Sequence, residues 1–174
     1  MLIGNKVNLR IIERSDLPII KNWINEEDID GQYEPIIQYT LTNLEKSYDD
    51  NKEGQWYFIE TKNGEKLGYV AHFVSKFQRR AIGYGLLPKH RSKGYGTEAA
   101  QLIVDYLFLS KDIVAIQAET HPENKASQRI LIKVGFQKEG IIRKCFFSRG
   151  IWRDTALYSI LREEWKEPKI LTKI

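Results

Sequence analysis

Between residues 80 and 109 the chain passes from an extended run to helical spacing across a turn of proline, basic residues and two glycines. Residues 80–87 read as a strand that stops at Pro88, which cannot donate to a ladder. Lys89, Arg91 and Lys93 follow, then Gly94 and Gly96, and from residue 97 to 109 Ala100, Ile103, Val104 and Leu107 fall on one helical face. A strand that hands over to an amphipathic helix in this way requires a sheet with a helix packed on it. It also leaves the first amides of that helix unpaired at the end of the strand.

The rest of the chain fills in around this unit. Residues 6–12 alternate, with Val7, Leu9 and Ile11 on one face, and predict a half-buried strand. Ser15 or Asp16 can cap a helix through Leu17, Ile20, Trp23 and Ile24, with Pro18 in its first turn. Residues 28–42 mix Gly31, Tyr33, Pro35 and Tyr39 and read as a loop or broken helix, followed by a short polar helix over 44–51. Residues 56–61 and 67–74 predict a hairpin around Asn63-Gly64, a type I′ turn signal. Then come a strand at 113–120, a helix at 125–134, strands at 136–147 and 155–161, and a Lys-rich tail. Strand, helices, three strands, helix, strand, helix and two strands indicate an α+β sheet rather than βα units throughout.

Composition bounds the function. At 174 residues the chain is read as one domain, 1–174, with enough apolar content (42%) to bury a core. Mixed charge and plentiful aromatics exclude disorder. Cys145 is the single cysteine, which excludes an internal disulfide framework and a thiolate zinc site, so no metal is expected and the expected compartment is the cytoplasm. Neither a secretory signal nor an apolar run near the roughly 20 residues of a membrane span is read, so no membrane partner is expected. The net charge of +4 is too small to announce nucleic acid, and basic residues do not interleave with aromatics in a recognisable RNA-binding module.

Residues 91–97 are the candidate binding feature. Glycines at a helix opening let main-chain N–H groups approach a ligand, and the helix dipole favours an anion such as a diphosphate. Lys89, Arg91 and Lys93 could add charge-assisted bonds. Three readings fit: a plain helix entry with solvated lysines, a dinucleotide site, or a coenzyme A cradle. Gly94-Tyr95-Gly96-Thr97-Glu98-Ala99 matches the dinucleotide pattern and Glu119 ends the next strand. Against that reading, residues 88–93 separate the glycines from the strand, and no second strand–helix half follows.

Arg91-Ser92-Lys93-Gly94-Tyr95-Gly96 resembles the [QR]-x-x-G-x-[GA] signature of the GNAT superfamily of acyl-coenzyme A-dependent N-acetyltransferases. The resemblance extends to Ile82-Gly83-Tyr84-Gly85-Leu86-Leu87-Pro88, to Asn124 through Ser127 and on to Gly135-Phe136, and to the opening Val7-Asn8-Leu9-Arg10. Gly150-Ile151-Trp152-Arg153-Asp154, with Tyr158 and Trp165, is similar to the closing hairpin of the ribosomal-protein N-terminal acetyltransferase branch. The resemblance implies a GNAT-like mixed, mostly antiparallel central sheet with helices on both faces. It implies that Leu86 and Leu87 pair with the pantetheine arm, that Arg91, Ser92, Lys93, Gly94, Tyr95, Gly96 and Thr97 hold the diphosphate, and that Asn124 and Ser127 lie along the arm. Read from the residues alone, Asn124 is equally an N-cap, Ser127 a first-turn residue, and Trp152 and Tyr158 packing residues.

The reaction so implied is attack of a neutral amine on acetyl-CoA in a ternary complex, through a tetrahedral intermediate, with expulsion of a thiolate. The amine would be a protein N-terminus or a small molecule, and the family-level expectation for assembly is a homodimer. The chain departs from its relatives where they often carry a glutamate and a tyrosine: Ala81 and Leu131 stand there and move no proton. Glu119, His121 and Tyr84 are then the candidate proton acceptors and Ser127 the candidate group near sulfur, each with an ordinary structural reading beside it. Residues 28–39, with Asp28, Asp30, Glu34, Tyr33 and Tyr39, read equally as a surface loop or as a site for a cationic amine. The alternative function is a catalytically silent acyl-CoA-binding sensor module.

Overall fold

The computed structural model describes residues 1–75 and 79–169. Its elements are β1 (Leu2–Ile3), β2 (Val7–Ile11), α1 (Leu17–Glu26), α2 (Leu41–Asp50), β3 (Gln55–Thr61), β4 (Lys66–Val74), β5 (Arg80–Leu86), α3 (Tyr95–Ser110), β6 (Ala115–Thr120), α4 (Lys125–Val134), β7 (Gln137–Ser148) and β8 (Ile151–Leu161). The strands form one open sheet in the order β1-β2-β3-β4-β5-β6-β8-β7. Every neighbouring pair is antiparallel except β5 and β6.

That exception positions the site. β5 and β6 pair in parallel only at Arg80 with Ile116 and at Ala81 with Gln117. Beyond Ala81 the two strands separate, leaving a fork whose open end lies at their C-termini. Two cores hold the fork from opposite faces, as expected of helices on both sides. On one face α3 and α4 contribute Ala100, Ile103, Leu107, Leu131 and Val134 against Val7, Ile59, Val70, Ile82, Ile116 and Tyr158. On the other, α1 and α2 contribute Leu17, Ile20, Trp23 and Leu44 against Ile12, Phe58 and Leu87.

Several local expectations are corrected. Neither Ser15 nor Asp16 caps α1 with its side chain; the Asp16 carboxylate instead accepts from the Glu13 amide and from Arg10. α2 starts three residues earlier than read, because Thr40 Oγ1 accepts from the Asn43 amide. At Asn63-Gly64 only Gly64 has positive φ, +84°, so the turn is not type I′; a register shift between Ile59 and Glu60 absorbs the longer connection. A pair of left-handed residues does occur at Arg149 and Gly150, φ 52° and 81°, and joins β7 to a β8 that begins four residues before the expected strand. Trp152 does not pack into the core: it is 59% exposed and makes an edge contact with Phe147.

Candidate active site

The diphosphate cradle begins where β5 ends. A single 3₁₀ turn, Pro88–His90, carries the chain off the sheet, and the Arg91 amide donates to the Pro88 carbonyl. Ser92 and Gly94 are left-handed, φ 63° and 86°, and Gly94 sits at the N-cap of α3. Alternating handedness turns successive amides toward one concave side. Among the described residues no main-chain carbonyl accepts from the amides of residues 92–97. Tyr95, Gly96 and Thr97 have no intrahelical partner by their place in the first turn. The cradle therefore fits a diphosphate: free donors, a positive helix end, and exposed Lys93 beside them.

Gly96 has a packing reason as well. A Cβ there would stand 3.1 Å from Ile130 Cδ1 and 3.4 Å from Leu86 Cδ1, so any side chain would oblige these neighbours on α4 and β5 to shift.

The Arg91 side chain does not face the cradle. Its Nε donates to the Leu86 carbonyl at 2.9 Å, and its Nη2 donates to the carbonyls of Asp28 at 2.9 Å and Ile29 at 3.2 Å. The charge expected to reach an outer phosphate is engaged by protein. Leu87 also differs from its expected role. Its amide donates to the Leu67 carbonyl at 3.0 Å and its side chain is core. By the alternation of an antiparallel ladder, Tyr84 and Leu86 then turn their main-chain groups into the fork.

Across the fork, Asn124 Oδ1 accepts from the Ser127 amide at 3.1 Å, so the carboxamide oxygen is the N-cap of α4 and any ligand contact falls to its NH2 group. The Tyr84 hydroxyl lies 3.0 Å from Ser127 Oγ. Burial pushes the Tyr84 phenol up to about 12, against a smaller pull from the Ser127 hydrogen bond, so at neutral pH it is a hydroxyl donor and not a proton acceptor. Ala81 and Leu131 are buried.

The β6 side of the fork mouth is acidic. Glu34, Pro35, Glu119, Thr120, His121, Phe146 and Thr155 line a hollow of about 140 Å³. Tyr33 stacks on the His121 ring, centroids 4.9 Å apart. His121 Nδ1 accepts from the Glu123 amide at 3.1 Å, which engages one of its two ring nitrogens. Crowding by protein, together with the carboxylates of Asp30 and Glu119, raises the Glu34 carboxyl above its ordinary value. Burial raises Asp30 too, although Tyr69 donates to its Oδ1 at 2.7 Å. Glu119 is exposed at the rim.

From the sequence, residues 28–39 read equally as a surface loop or as a site for a cationic amine. The structure lays them along the β5 end of the fork, with Ile29 in the core beside Leu87 and the Glu34 carbonyl accepting from Ser148 Oγ. Sequence reasoning missed Tyr69, Phe146 and Thr155, which look like ordinary strand residues in a linear reading. Among the described residues no group of three or more His, Cys, Asp or Glu is arranged to hold a metal ion, and no helix is long and apolar enough to cross a membrane.

Known proteins share this fold. Residues 6–137 match the acetyltransferase (GNAT) domain. A probable N-acetyltransferase of Bacillus subtilis, YjcK, is 34% identical over 139 residues, 78% of this chain and 74% of its own length. Two further B. subtilis relatives, uncharacterized N-acetyltransferases, match over 66% and 49% of their own lengths. The spermidine N(1)-acetyltransferase of Escherichia coli K12 is 27% identical over 170 residues, 93% of this chain and 89% of its own. Among solved structures, the Vibrio cholerae spermidine N-acetyltransferase in complex with CoA and spermine superposes with TM-score 0.80 at 23% identity, over 91% of this chain and 97% of that one. The ribosomal-protein-S5-alanine acetyltransferase of Vibrio fischeri superposes with TM-score 0.79 at 23% identity, over 94% and 97%. A forked sheet, a free-amide cradle at the opening of α3 and a match over most of its length place this chain in the GNAT acetyltransferase family, whose members transfer an acetyl group from acetyl-CoA to an amine.

Proposed function

We propose that this chain acetylates the primary amine of a small polycationic molecule, of the polyamine class, by direct attack in a ternary complex with acetyl-CoA. The observation that carries the reading is the pairing of two ends of one fork: free amides at residues 92–97 on the β5 side, and Glu34 and Glu119 around a hollow on the β6 side. A polyamine presents a second ammonium to such a rim, whereas a protein N-terminus presents one charge. The named activity of the E. coli relative points the same way.

Acetyl-CoA would supply the activated carbonyl and the thiol leaving group. The residues of the chain divide the remaining work. Amides of residues 92–97 bind the diphosphate, and the Leu86 amide offers a donor to an oxyanion within the fork. Glu34 and Glu119 attract the ammonium; a carboxyl raised by its surroundings, as Glu34 is, is a better proton acceptor than an ordinary one. Tyr84, hydrogen-bonded to Ser127, supplies a neutral hydroxyl that can protonate sulfur. Alignment of the two substrates contributes the rest of the rate.

One observation favours the silent CoA-binding module: Ala81 and Leu131 are buried and carry no proton. Thiol release from acetyl-CoA is therefore measured across spermidine, an aminoglycoside and peptides with free N-termini. Turnover of spermidine above the other amines supports the proposal. Thermal stabilisation by CoA with no turnover on any amine establishes the binding module.

A further inference from the structure

We propose that Arg91 is a positioning residue that couples the diphosphate cradle to the amine-binding segment, so that occupation of one orders the other. The inference rests on the reading of the fork as an acetyl-CoA site. Arg91 belongs to the cradle by its main chain and reaches the segment between α1 and α2 by its side chain. Its guanidinium ties three carbonyls: Leu86 at the end of β5, and Asp28 and Ile29 on the segment between α1 and α2. That segment is bent to meet it. Asp28 and Gly31 both have positive φ, 51° and 77°, and the position of a Cβ on Gly31 lies 3.9 Å from Nη1 and Nη2.

From this tie the segment runs on to the amine side without a break. Ile29 is buried beside Leu87, Asp30 accepts from Tyr69, Tyr33 stacks on His121, and Glu34 reaches the hollow shared with Glu119. A planar fork of five donors can hold three carbonyls at once; a point charge cannot. A diphosphate bound by the amides of residues 92–97 fixes the turn that begins at Arg91. It thereby fixes the guanidinium and the two carbonyls that set the direction of the segment carrying Asp30 and Glu34. Binding energy spent at the cradle thus preorganises the amine site.

The test is hydrogen exchange at residues 28–31 with and without coenzyme A, on the wild-type chain and on Arg91→Gln and Arg91→Lys. In the wild type, coenzyme A slows exchange at these amides. In both variants exchange is faster by about tenfold and no longer responds to coenzyme A, while coenzyme A affinity stays within about threefold. With spermidine as the amine, its KM rises about tenfold in the variants and the KM for acetyl-CoA does not. Exchange that still responds to coenzyme A in the variants overturns the proposal, as does loss of coenzyme A binding, which makes Arg91 a phosphate ligand. If the variants do not fold, the wild type alone decides: no slowing at residues 28–31 overturns it. A wild-type chain that turns over no amine, yet shows the slowing, sinks the proposed activity and leaves the coupling standing.

Discussion

The hydroxyl of Tyr84, on β5, lies 3.0 Å from Oγ of Ser127, in the first turn of α4, and so spans the fork that the two diverging strands leave open. This contact brings a phenol hydroxyl of β5 to the first turn of α4. Tyr84→Phe removes the donor and keeps the ring. The expected result is a fall in kcat of about 10²-fold with the KM for acetyl-CoA nearly unchanged. Ser127→Ala lowers kcat less, because the phenol remains. Since the phenol is held up at about 12, the wild-type rate has no alkaline limb from Tyr84 between pH 8 and 10. A kcat left unchanged by Tyr84→Phe refutes the donor assignment; a fall in that range that Tyr84→Phe abolishes means instead that the phenol titrates well below 12.

Glu34 and Asp30 both have carboxyls raised above their ordinary values, chiefly by burial. The folded state therefore binds more protons than the unfolded one in the window that opens at about pH 4 and extends upward to the raised values. Stability contributed by these groups is present at the acid end of that window and is lost as pH rises through it. Glu34→Gln should flatten the decline of stability as pH rises above about 4. A bound polycation should do the same for the wild type. The same substitution should cut kcat/KM for spermidine, by about tenfold, and remove the acidic limb of its pH profile. A profile that keeps that limb assigns the base elsewhere, with Glu119→Gln the next measurement.

The cradle was legible in the sequence because its determinants are local: two glycines, a strand end and a helix start, all within ten residues. The fate of the Arg91 side chain was not, because two of its three acceptors are carbonyls more than sixty residues away and carbonyls leave no mark in a sequence. Hairpins divided along the same line. Asn63-Gly64 carries the local signal for a two-residue turn, yet the bulge between Ile59 and Glu60 lengthens the connection. Arg149-Gly150 carries a weaker signal and makes the two left-handed residues, since the strands on both sides demand them. The start of β8 was missed because Ile151 and Trp152 are exposed and their neighbours half-buried, so no alternation marks the strand. The register that sets β5 beside β6 for only two pairs is a property of the whole sheet.

Gly94→Ala tests the cradle without touching the core. Gly94 is exposed at φ 86°, a conformation that costs a non-glycine residue roughly 1–2 kcal/mol. Relief of that strain rotates the amides of residues 94–97 away from a common point. The expected outcome is a coenzyme A affinity weakened by about tenfold or more, with a melting temperature lowered by only a few degrees. Equal affinity would show that these amides do not hold the diphosphate.

His72 predicts the acid limit of the fold. It is 4% exposed, set between the rings of Tyr57 and Tyr106, and its Nδ1 has no partner among the described residues. Burial, with Arg80 and Lys111 adding to it, lowers its pKa to about 4. Between that value and its ordinary one the unfolded chain binds the extra proton, so stability falls as pH is lowered from about 6.5 to 4. The loss is on the order of 3 kcal/mol. His72→Phe should flatten equilibrium unfolding between pH 6.5 and 4. An unchanged slope would mean the ring protonates in place.

Glu98 ties the cradle helix to the first long strand. It is 8% exposed in the first turn of α3, and its Oε1 accepts from the amides of Lys6 at 2.6 Å and Val7 at 3.2 Å. These amides start β2, and a carboxylate accepting from them binds more strongly than a neutral group would. Glu98→Ala strands both donors and costs about 2–3 kcal/mol; Glu98→Gln keeps an acceptor oxygen and costs about 1 kcal/mol less. Both variants should bind coenzyme A as the wild type does below their melting temperatures, because the cradle amides of residues 92–97 lie upstream of this contact. Chemical unfolding separates the two effects. A loss of coenzyme A affinity in Glu98→Gln, at unchanged stability, would instead mean that this carboxylate sets the direction in which the opening of α3 points.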